Sequence, residues 1–229
     1  MIQDPVIIAL DFQSAAESDR LVTSLGDSAG FYKVGMELYA AGGMDYVRSL
    51  IDRGKRVFLD LKYYDIGETV KRAVAVAARS GAEFLTIHAV GQVMRAAIEG
   101  RGDSTMKLLA VTVLTSFDQN DLRELGYDCS LDDLVSARVR LAMQVGVDGI
   151  VGSPVEARRI RAQAGGSAIL VTPGVRSRGA AAGDQKRVAT PAEAMRDGAS
   201  YVVVGRQVTR SVDPALALAA IHDELQVHV

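Results

Sequence analysis

Cysteine is almost missing from this chain, with one residue, Cys129, among 229. A lone thiol cannot close an internal disulfide, which excludes the cross-linked scaffolds of small secreted domains and makes a reducing cytoplasm the expected home. No apolar run reaches membrane length. The opening Met1-Ile2-Gln3-Asp4-Pro5 has neither a basic n-region nor an apolar h-region, so the expectation is a cytoplasmic protein with no membrane partner. An excess of one charge is missing too. Lys and Arg number 26 against 28 Asp and Glu, a net charge of -2, which leaves no basic footprint for nucleic acid. No His/Cys cluster or His-Glu motif has metal-ligand spacing, and no Gly-rich turn follows the first apolar run, which argues against a metal and against a dinucleotide. Short repeats, low-complexity tracts and interdomain linkers are also lacking.

What is present is a core-forming chain, 48% hydrophobic and 24% charged, of a length that suits one domain over residues 1–229. Strand-like and helix-like stretches alternate along it. Val6-Ile7-Ile8-Ala9-Leu10 is continuously apolar, the pattern of a strand covered on both faces. Ser14 then offers an N-cap for a helix reaching about Leu25. Further strands are expected at Phe31 to Gly35, Arg56 to Leu61, Phe84 to His88, Leu108 to Leu114, Gly149 to Gly152, Ala168 to Val171 and Tyr201 to Val204. Between them lie helical patterns at Gly42 to Arg53, Gly67 to Ser80 and Gln92 to Glu99. Another begins at Leu131, Pro154 opens one more, and a last runs from about Pro214 to Leu225. Such alternation predicts a parallel sheet, and eight strands in about 230 residues favour a single (β/α)8 TIM barrel over an open doubly wound sheet. The Gly-, Ala- and Arg-rich stretch from Gly174 to Thr190 reads as a functional loop.

The chemistry concentrates at Asp60-Leu61-Lys62-Tyr63-Tyr64-Asp65. Strand side chains alternate faces, so Asp60 and Lys62 share one side while Leu59 and Leu61 share the other. In a parallel barrel the leucines pack under the helices and the charges enter the mouth at the carboxyl end, where barrels place their active sites. An ordinary buried ion pair is the competing reading. Three alternating charges at one strand end, each costly to desolvate, weigh against it. A lysine flanked by carboxylates is held protonated, which suits a general acid and not a Schiff-base nucleophile. Lys33 and Asp11, at the ends of strands two and one, bring further charge to the same rim. His88 at the end of strand four reads as a supporting or core residue, and His222 and His228 as solvated.

A phosphate site is expected after strands seven and eight. There Thr172-Pro173-Gly174-Val175-Arg176 and Val204-Gly205-Arg206 supply backbone N–H groups, a glycine that permits close approach, and planar guanidinium donors.

Taken in order, these segments resemble the bacterial orotidine 5'-monophosphate decarboxylases across essentially the whole chain. The resemblance rests on Ile8-Ala9-Leu10-Asp11-Phe12, Lys33-Val34-Gly35-Met36-Glu37, Leu59-Asp60-Leu61-Lys62 with Asp65-Ile66, and Val113-Leu114-Thr115-Ser116. It continues through Val171-Thr172-Pro173-Gly174-Val175-Arg176, Asp184-Gln185-Lys186-Arg187-Val188 with Thr190-Pro191, and Val203-Val204-Gly205-Arg206. It implies that Lys62 donates a proton to C6 of the pyrimidine and that Asp60 sits beside the substrate carboxylate. Asp11 and Lys33 would hold the ribose and complete the charge network, and Thr115 would contact the base. Pro173, Arg176, Gln185, Gly205 and Arg206 would bind the nucleotide and its phosphate. It further implies a homodimer in which Asp65 and Thr69 enter the partner's site, and neither metal nor organic cofactor.

Tyr64 and Gly67 depart from the histidine and proline common in that family. The departure is similar to magnesium-dependent barrels acting on ketogulonate phosphate or hexulose phosphate. Those relatives carry a glutamate where this chain has Lys33 and lack its Thr-Pro-Gly and Asp-Gln stretches. A metal-dependent sugar-phosphate decarboxylase, aldolase or epimerase is therefore the enzymatic alternative, and a barrel that binds a nucleotide without turnover is the non-enzymatic one.

Overall fold

A computed structural model describes residues 4–177 and 189–226. Among these, eight parallel strands follow one another in chain order around a closed barrel. They are β1 (Val6–Ala9), β2 (Phe31–Gly35), β3 (Arg56–Tyr63), β4 (Phe84–His88), β5 (Lys107–Val111), β6 (Gly149–Val151), β7 (Ile169–Pro173) and β8 (Tyr201–Val204). Pairing of Val6, Ile7 and Ile8 on β1 with Val202, Val203 and Val204 on β8 closes the circle. The open-sheet alternative is thereby removed, since an open sheet leaves its edge strands unpaired.

Strand parity sorts the side chains into two cores. Ile8, Tyr32, Val34, Val57, Leu59, Leu61, Leu85 and Ile87 face outward into the layer beneath the helices. Ile7, Phe31, Phe58, Phe84, Leu109, Val171 and Val203 face inward and fill the barrel. Phe31, Phe58, Phe84 and Tyr201 pack edge to face at centroid separations of 5.2–5.9 Å. Arg56 lies 4.0 Å above the Phe31 ring and pairs through two 2.6 Å hydrogen bonds with Glu83. This plug fills the amino-terminal end, so the polar inward positions can open only at the carboxyl end.

The surrounding helices are α1 (Ala15–Leu25), α2 (Met36–Asp52), α3 (Gly67–Ala78), α4 (Gly91–Arg101), α5 (Gln119–Glu124), α6 (Leu131–Val145), α7 (Ala157–Ala164), α8 (Pro191–Arg196), α9 (Arg206–Thr209) and α10 (Pro214–Gln226). The Ser14 hydroxyl accepts from the Glu17 N–H at 3.2 Å, so the expected cap of α1 forms. Helix α2 consists of two helical stretches joined by a kink at Gly43 (φ 59°): the second is the one expected from Gly42, and the first, beginning at Met36, precedes it. The helix α5 is not signalled by periodicity, being too short to show one. Its reciprocal Asp118–Asp121 capping box was its only mark. Strand five stops at Val111, three residues before the expected Leu114, and strand three continues to Tyr63. His222 is not simply solvated: its Nε2 lies 3.2 Å from Asp4 Oδ1, which raises the imidazole pKa and ties α10 to the start of β1. His228 lies outside the described residues. No helix among the described residues is long and apolar enough to cross a membrane.

Candidate active site

The carboxyl ends of the strands surround a cavity of about 790 Å³. Continuing the inward parity upward places Asp11 after β1, Lys33 on β2, Asp60 and Lys62 on β3, and Thr86 on β4. The first four line the cavity. They form one alternating row. Lys33 Nζ lies 2.9 Å from Asp11 Oδ1 and 3.6 Å from Asp60 Oδ2, and Lys62 Nζ donates to Asp60 Oδ1 at 2.8 Å. Asp60 and Lys33 are the deep members, their side chains 14% and 10% exposed, whereas Asp11 at the rim is 59% exposed.

Burial pushes the Asp60 carboxyl up, but Lys33, Lys62 and the hydrogen bonds from Lys62 and Thr86 outweigh it and hold the pKa below its ordinary value. For Lys33, burial pulls down and the two carboxylates, Asp60 foremost, carry it above the usual lysine value. The stability contribution of Asp60 is therefore present above the ordinary carboxylate pKa and fades as pH falls through its lowered folded value. That of Lys33 is present below the ordinary lysine pKa and fades as pH rises through its raised folded value. Both operate throughout the neutral range. Lys33→Met should destabilise the fold by about 3 kcal/mol near neutral pH, since it strips a cation from a buried carboxylate. Urea unfolding across pH reads this directly: the deficit should shrink in acid as Asp60 takes up a proton. A deficit of equal size at every pH would show that packing, not charge, is what Lys33 supplies.

Strand alternation alone does not describe Lys62. Its φ of 49° makes it the only non-glycine residue with positive φ among those described. The β3–β4 register shifts between Leu59 and Tyr63 at the same point. A left-handed lysine costs on the order of 1 kcal/mol. It is stabilised by its N–H, which donates to Thr86 Oγ1 at 2.8 Å, while that hydroxyl stands 3.1 Å from Asp60 Oδ1. The fully buried Thr86 thus fixes both members of the pair. The sequence reading passed over it, although parity with Phe84 and His88 on β4 marks it as inward. Gly35 was passed over too. A Cβ there would lie 3.1 Å from Lys33 Nζ and 3.2 Å from Asp11 Oδ1, crowding their ion pair.

The phosphate-type residues converge as expected. Pro173, Gly174, Arg176, Gly205 and Arg206 all line the cavity, as does Thr115 after β5. Arg176 is buried and Arg206 opens α9. At Gly205 a Cβ would make only ordinary contact with Ala9, at 3.7 Å, so the glycine relieves no clash within the protein; it keeps the cavity wall clear. Phe12 and Glu37, which the motifs above contain without a role, and Gln13 and Arg210, which no motif marks, also border the cavity. Gln185 lies outside the described residues.

Asp65 and Thr69 do not join the site of their own chain. Neither lines the cavity, and no ion pair links Asp65 to Lys62, so the expected flanking of Lys62 by two carboxylates within one chain is not what the fold builds. Asp65 is exposed, its Oδ1 accepting from the Ile66 N–H at 2.6 Å. Beside it Tyr64 and Ile66 are 67% and 70% exposed. His88 is half-buried at the end of β4, its ring 5.3 Å from that of Tyr64. Burial first, then the charges of Arg138 and Lys62, lowers its pKa.

Comparison with known proteins places this geometry among relatives. Residues 4–221 match the model of the orotidine 5'-phosphate decarboxylase / HUMPS family. The chain is 51% identical over 225 residues to the orotidine 5'-phosphate decarboxylase of Nitrobacter winogradskyi, covering 98% of this chain and 94% of that one. It is 52% identical over 223 residues to that of Rhodopseudomonas palustris strain HaA2, covering 97% and 95%. Among solved structures, the orotidine 5'-phosphate decarboxylase of Lactobacillus acidophilus superposes with a TM-score of 0.86 at 35% identity, covering 97% of this chain and 99% of that one.

Proposed function

The chain belongs to the orotidine 5'-phosphate decarboxylase / HUMPS family, and from that premise we infer its reaction and the part each residue plays. It converts orotidine 5'-monophosphate to uridine 5'-monophosphate, the last step of de novo pyrimidine nucleotide synthesis. The observation that carries the residue assignment is the Lys33–Asp60–Lys62 row lining the same cavity as Arg176 and Arg206.

The bond from C6 to the carboxylate breaks, CO2 leaves, and the electron pair stays on C6. Lys62 Nζ stabilises that charge and delivers a proton to it; solvent then reprotonates the amine. Asp60 orients the ammonium and stands beside the departing carboxylate. Lys33 keeps Asp60 ionised, and Asp11 with Lys33 holds the ribose. Thr115 contacts the pyrimidine. Pro173, Arg176, Gln185, Gly205 and Arg206 take the nucleotide's phosphate end, whose binding energy holds the reacting carbon against Lys62.

The site is shared between two copies of the chain, with Asp65 and Thr69 reaching the partner's cavity. In support, Asp65 is exposed outside its own cavity, and the flanking Tyr64 and Ile66 leave large apolar surface uncovered. A cytoplasmic location accords with the single, unpaired Cys129.

Asp60 has two ammonium groups as its nearest charges, which suits a carboxylate that steers a cationic acid better than one that ligates a metal. Purified protein, treated with chelator and given orotidine 5'-monophosphate, should therefore remove the substrate's absorbance at an undiminished rate. Loss of activity that returns only with a divalent cation would instead assign the chain to the metal-assisted branch.

A further inference from the structure

We propose that Arg138 is a positioning residue for the pyrimidine-facing wall of the site. The proposal rests on the reading that Thr115 meets the base. The wall is the segment that leaves β5 at Val111 and returns through α5 to α6. Val113, Leu114, Thr115 and Ser116 of this segment all border the cavity. Its two feet are gathered by one guanidinium. Arg138 Nη1 donates to the carbonyl of Thr112, and Arg138 Nη2 donates to Tyr127 Oη at 2.9 Å. The guanidinium also lies 5.6 Å from the centroid of the Tyr127 ring.

Thr112 is fully buried, and its N–H and hydroxyl both reach the Val151 carbonyl, at 3.3 and 3.4 Å. The departure point of the segment is thus held from β6 on one side and from α6 on the other. Helix α6 is a firm base, with Val135, Val139 and Ala142 buried beneath it. The bond to Arg138 also gives Thr112's carbonyl a partner where β5 ends early. A planar fork can reach a carbonyl and a phenol at once, which an ammonium on a flexible stem does less well.

Arg138 touches none of the reacting groups, so its loss should loosen recognition of the base and leave recognition of the phosphate end intact. Calorimetric titration with uridine 5'-monophosphate and with ribose 5-phosphate separates the two. Arg138→Met should weaken the nucleotide at least about tenfold, the consequence of leaving a buried carbonyl unpaired, and shift ribose 5-phosphate by no more than about twofold. Arg138→Lys should recover part of the loss. Adding Thr115→Val to Arg138→Met should cost much less than Thr115→Val does alone, because the contact is already displaced.

Equal weakening of both ligands would mean that Arg138 only supports the fold, and unchanged nucleotide affinity would mean that it supports nothing at the site. Either result overturns the proposal. If Arg138→Met does not fold, Tyr127→Phe carries the test: about threefold weaker nucleotide binding with ribose 5-phosphate unchanged is expected, and no change in either refutes it. Failure of the wild-type chain to bind the nucleotide at all is a different outcome. It would strike the functional reading beneath the proposal.

Discussion

Lys62→Ala is expected to lower turnover of orotidine 5'-monophosphate by at least about four orders of magnitude while uridine 5'-monophosphate still binds. The figure joins two losses. General acid catalysis by a positioned group is worth roughly 10²–10⁴, and fixed charge at a developing anion roughly 10²–10³. The alanine variant gives up both at one atom. Its fold should survive, because Asp60 keeps Lys33 at 3.6 Å and the Thr86 hydroxyl at 3.1 Å. Alanine also inherits the left-handed backbone without adding strain, since both residues carry a Cβ. Stopped-flow absorbance under single-turnover conditions separates chemistry from product release, and calorimetry supplies the binding arm. Turnover within about tenfold of wild type would remove Lys62 from the role of proton donor.

The second large effect is restoration instead of loss. Asp65→Ala and Lys62→Ala should each be inactive alone, yet a refolded equimolar mixture should regain about one quarter of wild-type activity if the sites are shared across a two-fold dimer. Random pairing makes half the dimers mixed. In each mixed dimer one site has lost both groups and the other combines an intact Lys62 with an intact Asp65 from across the interface. The geometry that motivates the test is the exposed Asp65 outside its own chain's cavity. A mixture no more active than its parents would confine each site to a single chain and leave Asp65 to its bond with Ile66.

Most of the site was readable because a barrel strand obeys a two-residue period. Once β1 to β3 are recognised, Asp11, Lys33, Asp60 and Lys62 fall on the inward face by counting from Ile7, Phe31 and Phe58. The same count would have found Thr86 from Phe84 and Gly35 from Lys33, but threonine and glycine carry no charge to draw attention to the count. Arg176 and Arg206 were legible from their place after the last two strands. The aromatic plug of Phe31, Phe84 and Tyr201 beneath Arg56 was not, because it joins residues from three strands and its purpose appears only when the barrel is closed.

By itself, the sequence determined the alternation of strands and helices, the side on which each strand residue lies, and the order in which charges meet at the rim. These are consequences of local geometry, set by covalent spacing and by burial of alternate side chains. The count of eight strands favours closure, but the closing contact itself belongs to the tertiary structure, since it is a hydrogen-bonded pairing of β1 with β8, almost 200 residues apart in the chain. Tertiary structure also decided the conformation of Lys62. A left-handed turn of the backbone is unfavourable locally and persists because Thr86, on the neighbouring strand, accepts the displaced N–H and steadies Asp60. Asp65 lies three residues from Lys62 in sequence, yet the β3–α3 turn carries it out of the cavity, so proximity along the chain did not become proximity in space.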